Sequence, residues 1–160
     1  MIIQCTKKVL DKLGMKDSEK APDVPTSDNE ILKMQLHSWH VNLLTIDRRK
    51  VLLFFNDLAC VSVIIYRPQA KDYRRMDELL HDGIETLMRR YGVKEDVIRR
   101  YLEDDEYNCI CRSSSRSVLA RMNQFGNAVS WTSLHFRDDK KVQINAMLSL
   151  MDYITGTPQG

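Results

Sequence analysis

The stretch WHVNLLTIDRRKVLLFFNDLACVSVIIY, residues 39–66, decides the fold class. It holds three runs, Val41 to Ile46, Val51 to Phe55 and Cys60 to Tyr66, dense in the branched and aromatic residues that fit a pleated surface. Asp47, Arg48, Arg49 and Lys50 form one polar connection between them, and Asn56, Asp57, Leu58 and Ala59 form the other. Connections this short join antiparallel neighbours, so the stretch reads as a three-strand meander.

Working outward, Ile2 to Cys5 reads as a short strand. Thr6 stands where it can cap a helix that carries Val9, Leu10 and Leu13 on one side and stops at Gly14. Lys16 to Glu30, with Pro22 and Pro25 and no apolar periodicity, predicts a long mobile loop. After Pro68 the period becomes helical, with Met76, Leu79, Leu80, Ile84, Leu87, Met88 and Tyr91 at three- and four-residue steps up to Gly92. Val97 to Leu102 marks a shorter helix and Tyr107 to Arg112 another strand. Ser113, Ser114 and Ser115 then offer caps for a helix bearing Val118, Leu119, Met122, Phe125 and Val129. Residues 142–154 have a helical composition, and the tail after 156 is expected to fray. The expectation is α+β: a small antiparallel sheet, the meander plus an additional strand, packed against several helices.

At 160 residues, two domains would each be marginal, so a single domain over 1–160 is expected. A chain that is 43% hydrophobic and 29% charged can build a core, which excludes a wholly disordered protein. Its apolar runs are too short to cross a bilayer. The N-terminus turns apolar before it turns basic, the reverse of a signal peptide. No membrane partner and a cytoplasmic location are therefore expected. Cys5, Cys60, Cys109 and Cys111 lack the two-residue spacing of a zinc knuckle or redox pair and read as free thiols, although Cys109 and Cys111 would share one side of a strand. With six glycines and no phosphate loop, nucleophile elbow, dinucleotide fingerprint or zincin motif, neither metal nor cofactor is expected.

Three segments together resemble a family of uncharacterised bacterial proteins, a domain of unknown function. They are Cys5-Thr6-Lys7-Lys8, the run from Ser38 through Asp47-Arg48-Arg49-Lys50, and Arg116-Ser117-Val118-Leu119-Ala120-Arg121-Met122-Asn123. The resemblance implies one α+β unit and carries no activity, cofactor or catalytic residue.

A net charge of +2 names no partner, but its distribution is uneven. From Tyr107 through Arg137 there is no acidic residue, while Arg112, Arg116, Arg121 and Arg137 are present. The helix start after Arg112 is the first candidate site. Unpaired N–H groups there, with Ser113, Ser114, Ser115, Arg112 and Arg116, suit a phosphate or carboxylate. The plainer alternative is one capping serine and solvated arginines. The basic turn Arg48, Arg49, Lys50 is the second, able to grip a nucleic-acid backbone by charge or simply to sit in solvent. His37 and His40, three apart, fall on opposite faces of a strand and do not make a metal pair. His40 alone could act as general acid or base, with Arg116 stabilising charge on phosphate, as in a metal-independent ribonuclease; a structural histidine is the alternative. Trp131 and Phe136 are expected to be buried, with base stacking the alternative reading.

The expected function is thus a small binding protein. Its cationic surface, built from Arg48, Arg49, Lys50, Arg112, Ser114, Ser115, Arg116 and Arg121, would meet nucleic acid or another phosphate-bearing partner. The alternatives are a protein-interaction module of the toxin–antitoxin or phage-defence kind and the ribonuclease-like enzyme.

Overall fold

A computed structural model describes residues 1–15, 21–56, 58–104, 106–113 and 116–155. The meander is β2 (Ser38–Ile46), β3 (Arg49–Asn56) and β4 (Val61–Tyr66), joined by antiparallel ladders. β1 (Ile2–Cys5) lies parallel to β2 on its other side, and β5 (Cys109–Arg112) lies parallel to β1, giving the order β4-β3-β2-β1-β5. The sheet is therefore mixed: the two strands read outside the meander, at Ile2 to Cys5 and Tyr107 to Arg112, both pair parallel where an antiparallel sheet was expected. A parallel neighbour needs a long crossover, and nothing local to a strand announces which partner that crossover will deliver.

From Val51 to Asn56 every residue of β3 is buried, as is every residue of β4 after Val61. Strands apolar on both faces need cover on both. Register puts Val41 and Leu43 of β2, Phe54 of β3 and Val63 of β4 on one face, and His40, Leu44, Phe55 and Ser62 on the other. The first face takes α4 (Met76–Arg90), whose stripe Met76, Leu79, Leu80, Ile84 and Leu87 is buried as its periodicity requires. Gly83 allows the approach: a Cβ there would lie 2.3 Å from Val63 Cγ1. The short helices α1 (Lys7–Leu13) and α3 (Ala70–Tyr73) join α4 on this side. The second face takes α6 (Arg116–Trp131), with Phe125 packed on Phe55 at 4.1 Å between ring centroids and Gly126 against Leu44. α7 (Ile144–Thr155) closes the β4 side. Between α4 and β5, α5 (Glu95–Leu102) brings the Tyr101 hydroxyl to accept from Trp39 Nε1 at 3.0 Å.

Two expectations change. Residues 21–27 of the expected loop form neither helix nor strand, but its last three, 28–30, open a helix that was not expected, α2 (Asp28–Leu36), with the Ser27 hydroxyl accepting from the Glu30 N–H at 3.3 Å; residues 16–20 of that loop, and the tail after 156, lie outside the described residues. The first meander connection is two residues rather than four, because Arg49 pairs with Ile46 and Lys50 with Thr45 inside the ladder. No helix is long and apolar enough to cross a membrane among the described residues.

Candidate anion-binding site

The two-residue turn lines one wall of a polar cavity. Asp47 and Arg48 take φ of 49° and 65°, the left-handed pair of a type I′ hairpin, whose twist matches that of the strands it joins. Such a turn favours Asn-Gly, and a left-handed residue with a Cβ costs about 1–2 kcal/mol. One strand over, the chain leaves β4 through Arg67, also left-handed at φ 53°, whose N–H donates to Lys50 O at 2.9 Å. Non-glycine residues held in such conformations gather at functional sites. Here two of them, both arginines, line one cavity of about 600 Å³.

The third wall comes from residues 138–141. Tyr66 N–H donates to Lys141 O and Gln143 N–H to Ile64 O, so this segment runs along the outer edge of β4. The loop before it is pinned by Gln143, 2% exposed, whose amide donates to Arg137 O and Lys140 O at 2.7 and 2.6 Å and accepts from Arg137 N–H at 2.6 Å. Arg48, Arg49, Lys50, Arg67, Lys140 and Lys141 thereby converge on the cavity with Asp138 and Asp139, six cations against two carboxylates. Asp138 accepts from Arg49 at 3.2 Å and lies 3.8 Å from Arg67. Arg49 also donates to the Tyr66 hydroxyl at 3.0 Å, while the Arg67 guanidinium sits 5.6 Å from the centre of the Tyr66 ring.

Lys141 ties the floor to the core. Its ammonium donates to Arg67 O at 2.7 Å and to Asp72 Oδ2 at 2.9 Å, and that carboxylate oxygen also accepts from Gln69 N–H at 2.7 Å. Burial of Asp72 pushes its pKa up, but the Gln69 N–H and the Lys141 ammonium outweigh burial and hold it below the usual carboxylate range. Arg48 has no carboxylate partner among the described residues, and Lys50 donates to a hydroxyl, Thr45 Oγ1 at 2.9 Å. The cavity therefore keeps a surplus of positive charge after its internal pairs are counted.

The remaining candidates lie elsewhere. Arg112 pairs with Cys5, three strands from Lys50 and four residues short of its level, so the two backbones stand about 20 Å apart. Arg116 begins α6 and is exposed. Ser114 and Ser115 lie outside the described residues. Arg121 lines a different cavity, of about 660 Å³, with Phe55, Cys60 and Trp131. The structure thus unites Arg48, Arg49 and Lys50 and does not bring Arg112, Arg116 or Arg121 to them. His40 is 5% exposed on the α6 face of the sheet. Trp131, expected to be buried, is 67% exposed, because the buried stripe of α6 ends at Ala128 and Val129. Phe136 packs on Tyr66. Cys5 is buried with its thiol pushed up to about 12, by burial first and by Cys111 second. Sequence reasoning missed Arg67, Lys140 and Lys141. The one signal was compositional: Arg67 follows the last meander strand as Lys50 opens the second.

Residues 2–159 match the family described as Domain of unknown function (DUF6933), and the chain belongs to that family. No curated protein and no solved structure matches it.

Proposed function

We propose that this member of the DUF6933 family binds a phosphate-bearing partner, nucleic acid above all, in the cation-lined cavity at the hairpin tip. The observation that carries the reading is the convergence of Arg48, Arg67 and Lys140 from three separate segments, with both arginines held in left-handed backbone. A charge surplus of this kind grips phosphates without reading sequence. Proton transfer by His40 has weaker support, since an acid or base must touch the reacting group and this imidazole is 5% exposed.

The test is binding of a labelled single-stranded oligonucleotide across a salt series. Affinity should fall steeply with salt, and Arg48→Ala and Lys140→Ala should each weaken binding and flatten the salt slope by about 1 if each holds one phosphate. Salt-insensitive binding, or binding unchanged in both variants, rejects the site.

A second reading, a protein-interaction module, rests on a different observation. An apolar cavity of about 370 Å³, lined by Trp39, Leu87, Met88 and Val97 among others, opens at the other end of the meander. Capture of a partner protein that survives nuclease treatment and is lost in Met88→Asp would favour it.

A further inference from the structure

Resting on the function proposed above, we infer that the strand held at the hairpin tip is RNA, recognised through a ribose 2′-hydroxyl in a second, smaller cavity that adjoins the first. This cavity has a volume of about 280 Å³. Arg49, Tyr66 and Asp138 line both cavities and so form the partition between them. Arg49 donates to the Tyr66 hydroxyl at 3.0 Å and to Asp138 Oδ1 at 3.2 Å, which makes the partition a single hydrogen-bonded layer of side chains.

The two sides of that layer differ in kind. Six cations face the larger cavity. In the smaller one Arg49 is the one cation among the described residues, and it is already engaged by Asp138 and Tyr66. Asp47 and Ser133 add a carboxylate and a hydroxyl, and neither side chain has a hydrogen-bond or ionic partner among the described residues. Ile46 and Phe136 supply carbon surface beside them.

Two separate segments bring these groups together. Asp47 is held by the left-handed backbone of the hairpin turn, at φ 49°. Ser133 opens the 3₁₀ turn Ser133–His135 beyond α6, where its carbonyl accepts from Phe136 N–H at 3.1 Å, and Phe136 in turn packs on Tyr66.

An ionised carboxylate can only accept hydrogen bonds, so the smaller cavity repels phosphate and suits a donor. Within the sugar–phosphate backbone of an internal nucleotide, phosphate, ester and ring oxygens only accept. The donor is the ribose 2′-hydroxyl, which DNA lacks. A sugar is one ester bond from its phosphate. A strand with a phosphate among Arg48, Arg67 and Lys140 therefore has a ribose to offer across a partition one side chain thick.

The experiment titrates the full chain with oligouridylate, oligodeoxyuridylate and 2′-O-methyl oligouridylate of one length, so that base and phosphate number stay constant. Oligouridylate should bind roughly tenfold more tightly than either of the others, since the methyl ether keeps the oxygen and loses the donor. Asp47→Gly suits the left-handed backbone and keeps the turn. It should bring the RNA-to-DNA affinity ratio close to one while DNA binding stays equal or tightens, because a negative charge beside phosphate is removed. Ser133→Ala should lower the ratio in the same direction. Equal affinity for all three strands, with the salt dependence kept, overturns selection for RNA and leaves the proposed function standing. Selection by the 2′-hydroxyl is also overturned if the ratio survives both Asp47→Gly and Ser133→Ala, or if the 2′-O-methyl strand binds as tightly as oligouridylate. If none of the three binds at low salt, the proposed function falls and RNA selection with it.

Discussion

At the scale of the residue, Arg48 separates stability from function. Its left-handed backbone costs about 1–2 kcal/mol with a Cβ present, and glycine would remove that cost while adding about 0.5–1 kcal/mol of chain entropy in the unfolded state. Arg48→Gly should therefore leave stability to urea unchanged or raise it by up to about 1 kcal/mol, while lowering oligonucleotide affinity. Unfolding curves and a binding titration on one preparation decide it; a loss of stability would mean that the arginine serves the turn and not a ligand. The cation itself was legible in the sequence. Its conformation was not, because Asp-Arg lacks the glycine that normally betrays a two-residue hairpin.

Among elements, α4 lies close on β4 at Gly83. Gly83→Ala would gain about 1 kcal/mol of helix propensity, yet its Cβ would fall 2.3 Å from Val63 Cγ1. Overpacking should win, with a net destabilisation of about 1–3 kcal/mol, and Val63→Ala in the same chain should recover part of it. Additive losses in the double variant would show that the two side chains do not compete for one space. The short helix α3 makes a prediction about acid. Asp72, 3% exposed, has its pKa lowered in the folded state, so its contribution is present above the unfolded value of about 4 and is lost as pH falls through the lower native value. Asp72→Asn should cost about 1–2 kcal/mol near pH 7, and the gap from wild type should close on acidification; a gap independent of pH would assign the loss to packing instead. Helix α2 shows why an element can go unread: it has no buried residue, hence no apolar stripe, and its only sequence mark was Ser27 followed three residues later by Glu30.

For the molecule as a whole, the meander, β1, α4 and α6 were legible because local periodicity and short connections fix them. The family resemblance held for the same chain, residues 2–159. What sequence could not supply was adjacency across long separations. The site unites Arg48 with Lys140 and Lys141 through a segment that borders β4 without being a strand of its own, and no pattern in 137–143 says where it will lie. The cationic surface expected as one is divided for the same reason, since β1 and β2 intervene between β3, which carries Arg49 and Lys50, and β5, which carries Arg112. That bordering segment has a further effect. An uncovered rim of backbone N–H and C=O groups invites another chain to pair with it, and proteins commonly blunt such rims. On the β4 side Val142 bridges to Ile65 and the flanking amides are already engaged, so growth of the sheet by strand addition is closed there. On the other side stands β5, four residues long. The loop that carries Lys140 and Lys141 to the cavity thus also guards the molecule against joining its own kind edge to edge.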